Sequence, residues 1–218
     1  EGDGTGIYMS ADSVEAIVAL LQMGVLEIHP WGSRVPKLGC PDRIVFDFDP
    51  DEGLGWKEVV DAAKTMRDAL EQLGLASFLK TTGGKGLHVV VPIKRLRDWD
   101  SSKAFSQAVV QHLARTIPQR FVAKSGPKNR VGKIFVDYLR NGRGATTVAA
   151  WSARARPGLG VSVPVAWSEL PTIASGAHWT VTNIEERLRV GNAPWRGYAK
   201  AAVALGAAER ALGASARG

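Results

Sequence analysis

The chain is poor in cysteine and has no long apolar run. Its 218 residues contain one cysteine, Cys40, which excludes an intrachain disulfide and a cysteine-based zinc cluster. No apolar stretch approaches the roughly 20 residues that a membrane helix needs, and no signal-peptide pattern opens the chain. The hydrophobic fraction of 45% is enough for a substantial core. We therefore expect a folded cytoplasmic protein, or a fragment of one, that does not enter a membrane.

Acidic residues are scarce in one part of this basic chain, which carries a formal net charge of +7. Residues 115–156 contain one acid, Asp137, against ten lysines and arginines. Such a segment suits a polyanion, most simply a nucleic-acid backbone, although basic segments can also be merely solvated. The candidates for contacts with DNA are Lys128, Arg130, Lys133, Arg140 and Arg143.

The most informative stretch is the short strand predicted for residues 43–50. Asp47 and Asp49 occupy odd-numbered positions, whereas positions 44, 46 and 48 are apolar. Because side chains alternate along a strand, both carboxylates leave one face, about 7 Å apart at the backbone, where they can converge on divalent cations. Without a cation they would repel each other, and one would hold a proton. The alternative is a strand that simply ends in an acidic turn.

A third carboxylate, Asp137, interrupts another apolar strand, predicted over residues 133–139. A carboxylate among apolar side chains needs a cation or strong hydrogen bonds. An arginine just downstream, Arg140 or Arg143, would satisfy it. The other possibility is a metal shared with the two carboxylates of the first strand, and three carboxylates suit Mg²⁺ or Mn²⁺ better than zinc.

A glycine-rich turn is predicted between strands at residues 76–80 and 87–93. Three of the four positions 83–86 are glycine, so backbone N–H groups can approach an anion closely, and Thr82, Lys85 and His88 can add side-chain donors to phosphate oxygens. A P-loop is excluded, because no Ser or Thr follows the lysine and a strand rather than a helix comes next. A plain hairpin with a glycine turn is the alternative.

The remaining chain reads as further helices and strands. A helix that starts at Asp12 or Ser13 and stops at Gly24 carries an apolar stripe at positions 14, 17, 18 and 21. Arg154 and Arg156, two residues apart, could clamp a phosphate. The other predictions are helices over 56–73, 100–116 and 184–190, a strand over 25–31 that ends near His29, a β-rich stretch over 146–151, and an alanine-rich segment over 198–212.

Several stretches, in one order and spacing, resemble a known family. They read EIHPW at 27–31, DRIVFDFDP at 42–50, KTTGGKGLH at 80–88 and VDYLRNGRGAT at 136–146, followed by RARP at 154–157. The series resembles the polymerase domain of bacterial ligase D, an archaeo-eukaryotic-type primase-polymerase of non-homologous end joining. The resemblance runs from about residue 10 to residue 195.

The resemblance implies roles for particular residues. Asp47, Asp49 and Asp137 would be the catalytic residues and would hold two divalent ions, Mn²⁺ or Mg²⁺, with Mn²⁺ favoured. The substrate would be a nucleoside triphosphate, either NTP or dNTP. The implied nucleotide-binding residues are His29, Thr82, Lys85, His88, Arg154 and Arg156. Thr82 departs from the serine usual in the family but keeps the hydroxyl.

The resemblance also implies a fold and partners. We expect an α/β (α+β) domain with a central, mostly antiparallel mixed sheet flanked by helices, as in the primase-polymerase fold. The domain would cover residues 12–212, between a flexible segment at 1–11 and a tail at 213–218, with the family's N-terminal lobe absent. It would be a nucleotidyltransferase acting on DNA ends near the bacterial nucleoid. A Ku-like end-binding protein would be its partner, and ligase and nuclease domains would lie in the parent chain.

Two other functions remain open at this point. A haloacid-dehalogenase-like phosphohydrolase would use Asp47 as nucleophile and Asp49 as acid-base. Its signature, however, continues with Thr or Val where this chain has Asp51. A non-catalytic module that binds DNA ends would need only the basic segment. Metal binding through the three carboxylates would distinguish a polymerase from such a module.

Overall fold

The computed structural model describes residues 8–215, which are organised around one six-stranded sheet. In chain order the strands are β1 (Arg43–Pro50), β2 (Phe78–Thr81), β3 (Leu87–Pro92), β4 (Phe121–Val122), β5 (Ile134–Asp137) and β6 (Pro164–Val165). Their order across the sheet is β4-β5-β1-β3-β2-β6. Only the β4–β5 pair is parallel. The predicted mostly antiparallel mixed sheet is therefore confirmed.

Five α-helices are described along the chain. They are α1 (Val14–Gln22), α2 (Trp56–Gln72), α3 (Trp99–Thr116), α4 (Glu185–Val190) and α5 (Gly206–Ser215). The start of α3 is fixed by Asp98, whose side chain accepts a hydrogen bond of 2.8 Å from Ser101 N. The helices predicted over 56–73, 100–116 and 184–190 form within two residues of the expected bounds. None of the helices in the described range is long and apolar enough to cross a membrane.

The hydrophobic core lies on one face of the sheet. The even-numbered side chains of β1, Ile44, Phe46 and Phe48, are fully buried and belong to one cluster with apolar residues of α2, α3 and α5. The odd-numbered residue Val45 points to the other face and is not part of that cluster. Burying a large apolar side chain stabilises the fold by about 1.5–3 kcal/mol. The core therefore holds β1 in a fixed register, with Asp47 and Asp49 on the face away from the cluster.

Helix α1 forms as predicted, but its apolar stripe is exposed. Ser13 Oγ accepts a hydrogen bond of 3.2 Å from Ala16 N and so caps the helix. None of the helix residues is buried, and Val14 and Leu21 are 75% and 54% exposed. Within residues 8–215, the stripe is therefore not part of the core.

Two predicted β segments are wrong. Residues 25–31 and 146–151 form no strand, and the pairing between them is limited to an isolated bridge between Trp31 and Thr146 and a few backbone hydrogen bonds. Pro30 lacks the N–H that a ladder requires, and Ile28 N donates to Ser152 Oγ at 2.9 Å instead of to a strand. The two segments still lie side by side, because Ala149 N donates to Ile28 O at 2.8 Å.

The strand predicted over 133–139 is shorter than expected. It ends at Asp137, whose Oδ1 accepts a hydrogen bond of 2.8 Å from Leu139 N. A 3₁₀ turn over Leu139–Asn141 follows, and Leu139 is 41% exposed. The Asp137 carboxylate thus stabilises a turn by accepting a hydrogen bond from the backbone two residues later. Aspartate often makes this local hydrogen bond, which competes with strand pairing.

The two chain ends are described only in part. Residues 1–7 of the predicted flexible segment 1–11 lie outside the described residues, as do 216–218 of the predicted tail 213–218. Residues 213–215 are helical and complete α5.

Candidate active site

The polar face of the sheet carries a row of four ionisable side chains from four adjacent strands. Lys80 on β2 pairs with His88 on β3, His88 pairs with Asp47 on β1, and Asp47 pairs with Asp137 on β5. Directly opposed residues in antiparallel strands have Cβ atoms about 4.5–5.5 Å apart. The row therefore joins one cation, one imidazole and two carboxylates across the middle of the sheet.

Asp49 lies next to this row. It follows Asp47 by two residues on the same face of β1 and is opposite Phe135. The Asp49 side chain is 43% exposed, against 17% for Asp47 and 9% for Asp137. The three predicted carboxylates are thus on neighbouring strands and on one face, and Asp49 is the most open to solvent.

Basic side chains approach each carboxylate. Arg140 Nε lies 3.1 Å from Asp137 Oδ2 and 3.9 Å from Asp47 Oδ2, and Arg130 Nη1 lies 3.8 Å from Asp49 Oδ2. Arg140 and Arg130 were predicted to contact DNA, and the structure places both beside the carboxylates. The arginine partner considered for Asp137 is therefore present.

The pKa values of the carboxylates are pushed apart. Burial, together with the charge of Asp47, raises the pKa of Asp49 to about 6. Burial also raises the pKa of Asp137. For Asp47 burial acts in the same direction, but the hydrogen bond from His88 and the positive charges of Arg140 and Lys80 hold its pKa below the usual range. Like charges crowded in this way favour an added cation.

His88 is buried, and its ring faces Asp47. Nε2 lies 3.2 Å from Asp47 Oδ1, and burial together with the charge of Lys80 lowers the pKa of His88. A neutral imidazole with its proton on Nε2 can donate to Asp47, which leaves Nδ1 as an acceptor. Nδ1 is buried and has no hydrogen-bond partner among the described residues. His88 thus orients a carboxylate.

The donor set is suited to divalent cations. Mg²⁺ and Mn²⁺ prefer carboxylate oxygens, and three such groups stand on one face with no cysteine near them. As they stand, however, no three His, Cys, Asp or Glu side chains in the described range are gathered closely enough to hold an ion. The arginine partners would have to yield to a cation. The metal-ligand roles of Asp47, Asp49 and Asp137 stay predictions.

The glycine loop between β2 and β3 packs tightly against its surroundings. A Cβ on Gly86 would stand 2.3 Å from Phe48 O, and one on Gly83, at φ +67°, would stand 2.8 Å from Gly160 O. Thr82 Oγ1 accepts a hydrogen bond of 3.2 Å from Gly84 N and donates one of 3.0 Å to Gly86 O. The glycines and the threonine thus hold the loop close to β1. Thr82 is buried, and its hydroxyl serves the loop itself.

Lys85 at the loop tip is an accessible member of the predicted phosphate ligands. Its side chain is 75% exposed, and Nζ lies 3.7 Å from Glu52 Oε1. Arg156 borders the same loop, with Nη1 3.7 Å from where a Cβ on Gly84 would stand. Two cations therefore stand at the loop, whereas the backbone N–H groups of Gly83 and Gly84 donate to Gly176 O and Thr82 Oγ1.

Arg154 and His29 are joined through Glu27, a residue that sequence reasoning did not assign to the site. Arg154 Nε lies 2.7 Å from Glu27 Oε1, and Arg154 Nη1 donates to Thr82 O at 3.1 Å. His29 Nε2 contacts the same Glu27 oxygen. Burial would raise the pKa of Glu27, but the Ala155 N–H, His29 and Arg154 hold it down. Glu27 thus fixes two predicted nucleotide ligands beside the loop.

The other predicted DNA contacts are more peripheral. Lys128 and Arg143 are exposed, and Lys133 is half-buried just before β5. Sequence reasoning also assigned no role to Lys80 and Asn141. Lys80 Nζ donates to Val148 O and Ser162 Oγ at 2.8 and 2.9 Å, and Asn141 exchanges two hydrogen bonds of 2.8 Å with the Val45 backbone. Both lie within the family-like stretches, which was the only signal for them in the sequence.

Comparison with known proteins gives consistent matches. The family described as "LigD, primase-polymerase domain" matches residues 1–195. The chain is 50% identical to the multifunctional non-homologous end joining protein LigD of Pseudomonas aeruginosa over 91% of its own length. It is 33% identical to LigD of Mycobacterium tuberculosis strain H37Rv over 77% of its length. The chain covers only 24% and 23% of these relatives.

The fold is also similar to that of a solved structure. It is described as the polymerase domain from Mycobacterium tuberculosis ligase D in complex with DNA, and its TM-score with this chain is 0.76 at 28% sequence identity. The similarity covers 88% of this chain and 69% of that one.

Proposed function

This chain belongs to the primase-polymerase domain family of ligase D, and we propose that it adds nucleotides to DNA ends in bacterial non-homologous end joining. The observation that carries the proposal is the pairing of Asp47 with Asp137 across β1 and β5, with Asp49 two residues along the same face. Such a carboxylate group beside a glycine-rich, cation-flanked loop is suited to phosphoryl transfer from a nucleoside triphosphate. The family membership sets aside the phosphohydrolase alternative.

We assign the metal site to Asp47, Asp49 and Asp137. Divalent ions held there, two in number and Mn²⁺ by preference, would supply the positive charge that phosphoryl transfer requires. His88 then acts through Asp47 by fixing the direction of its carboxylate. Arg130 and Arg140 would move from the carboxylates to phosphate oxygens as ions bind, because both arginines are basic neighbours at the edge of the site.

The triphosphate would lie along the loop between β2 and β3. Lys85 and Arg156 flank it, and Arg154 is held by Glu27 and Thr82 with only 13% of its side chain exposed. A side chain fixed in this way loses little conformational freedom when it binds phosphate. His29, on the other side of Glu27, would line the nucleotide pocket. Either ribo- or deoxyribonucleotides would fit this arrangement of phosphate ligands.

The wider setting follows from the family. The relatives are multifunctional end-joining proteins of which this domain is one part. By analogy, the parent chain would carry ligase and nuclease domains, and a Ku-like protein would be the partner at the DNA end. The site of action would be cytoplasmic, at the nucleoid. Lys128, Lys133 and Arg143 would then contact the DNA backbone.

The basic segment would also suit a non-catalytic module that binds DNA ends. A Mn²⁺ titration distinguishes that module from a polymerase. The wild type should bind Mn²⁺, the Asp47→Asn variant should not, and Asp68→Asn on α2 serves as a matched control because Asp68 is exposed. Equal Mn²⁺ binding by the wild type and Asp47→Asn would favour the non-catalytic module.

A further inference from the structure

A basic cavity lies at the other end of β1 from Asp49. Its volume is about 280 Å³. We call it the Tyr198 pocket and define it by the polar residues that line it: Arg34, Asp42, Arg43, Lys94, Arg95 and Tyr198. Arg34 from the segment before β1 meets residues from the start of β1, the end of β3 and the segment before α5 there, so the pocket is built from four parts of the chain.

The pocket has an excess of positive charge. Asp42 is buried and is the only carboxylate among the lining residues, against four cationic side chains. Arg34 Nε lies 2.7 Å from one Asp42 oxygen, and Arg43 Nε lies 2.6 Å from the other. Asp42 therefore orders two of the cations but cannot neutralise all four. A pocket of this kind attracts an anion.

Two polar groups of the pocket lack partners. Tyr198 Oη and Arg95 Nε are buried and have no hydrogen-bond partner within residues 8–215, whereas Arg95 Nη2 donates to Arg34 O. The Tyr198 ring cannot easily turn away, because it stacks on Trp195 at 4.9 Å and meets the edge of Phe78 at 5.0 Å. Burial raises the pKa of Tyr198 to about 12, so its hydroxyl remains a donor. Buried donors without acceptors are costly, and an added acceptor would relieve them.

The chemistry and the position of the pocket indicate the ligand. We propose that the Tyr198 pocket binds a phosphate group of a nucleic-acid strand. Phosphate offers several oxygen acceptors in a geometry that guanidinium groups match, so one group could accept from Arg95 Nε and Tyr198 Oη together. Arg43 and Asp47 share a face of β1 about 13 Å apart, roughly four base-pair steps along one strand of a duplex. A strand held here can therefore reach the candidate active site.

This proposal rests on the proposed function only in naming nucleic acid as the source of the phosphate. Binding in the presence of EDTA requires neither metal nor nucleotide transfer. A protein that fails to extend primers but binds DNA through this pocket would contradict the proposed function alone. A protein that extends primers without using the pocket would contradict this inference alone.

The test measures the affinity for a fluorescent oligonucleotide in EDTA, with the wild type, Tyr198→Phe, Arg95→Gln and Lys57→Gln. Lys57 is a control, because it is 83% exposed on α2 and is not among the residues that line the pocket. We expect Arg95→Gln to weaken binding about tenfold and to reduce the salt dependence by about one phosphate contact. Tyr198→Phe should weaken binding severalfold without a change in charge, and Lys57→Gln should bind as the wild type does.

Two results would overturn the proposal. In the first, Tyr198→Phe binds the oligonucleotide as tightly as the wild type does, and Arg95→Gln loses no more affinity than Lys57→Gln. If Arg95→Gln does not fold, Tyr198→Phe alone decides, since it removes one unpartnered hydroxyl. The other result comes from thermal unfolding with inorganic phosphate as the probe. If phosphate stabilises the wild type but not Tyr198→Phe, while both proteins bind the oligonucleotide equally, the pocket binds free phosphate rather than a strand.

Discussion

Asp47 and Asp137 stand directly opposite each other on β1 and β5, and His88 stands opposite Asp47 on its other side. The two carboxylates are mostly buried, so each destabilises the charged form of the other. This relationship links the fold to the chemistry, since the same strand register that completes the core also creates a site that favours a divalent cation.

The first prediction concerns Asp137→Asn. Without metal, the unfolding free energy of the variant should lie within about 1 kcal/mol of the wild-type value. The loss of repulsion from Asp47 offsets the loss of the ion pair with Arg140. With Mn²⁺ added, the wild type should gain stability and the variant should not. Denaturant unfolding in EDTA and in Mn²⁺ measures both. An equal gain in the two proteins would contradict the metal assignment of Asp137.

The second prediction concerns Lys80. Burial lowers its pKa to about 7, whereas an unfolded lysine titrates near 10.5. Between these values the unfolded state binds more protons, so this group makes stability rise with pH by at most about 1.4 kcal/mol per unit. From pH 7.5 to 9.5, the unfolding free energy of the wild type should therefore increase relative to that of Lys80→Met. Parallel pH profiles would show that Lys80 keeps an ordinary pKa.

The third prediction concerns the close approach of the glycine loop to β1. A Cβ on Gly86 would stand 2.3 Å from the backbone oxygen of Phe48, so Gly86→Ala should lower the unfolding free energy by about 1–3 kcal/mol and displace the loop. Gly39→Ala is the control, because no atom lies within 4 Å of its added Cβ. Comparable stability of the two variants in denaturant would mean that the loop is not held against β1.

The fourth prediction concerns Arg154. Arg154→Ala should raise the apparent KM for nucleoside triphosphate about tenfold with a smaller change in kcat, because a phosphate ligand is lost while the carboxylates remain. Glu27→Gln should give a weaker change in the same direction, since Glu27 holds the Arg154 guanidinium. Arg189→Ala, at a 77% exposed position on α4, is the control. An unchanged KM in Arg154→Ala would remove Arg154 from the triphosphate site.

The alternation of residues 43–50 was enough to predict β1 and the shared face of Asp47 and Asp49. The row from Lys80 to Asp137 could not be predicted, because strand register depends on pairing between distant segments. The strand predicted over 25–31 was wrong because Pro30 has no N–H to donate and the Ile28 N–H donates to Ser152 Oγ, which periodicity does not reveal. Glu27 was missed because only its contacts with Arg154 and His29 distinguish it from a surface acid.

The most direct test of the central claim is primer extension on a short duplex with an overhang, with Mn²⁺ and either ATP or dATP. The wild type should extend the primer, Asp68→Asn should match it, and Asp47→Ala should add no nucleotide while it keeps its fold. Extension by Asp47→Ala at the wild-type rate would contradict the assignment of nucleotide transfer to the carboxylates of β1 and β5.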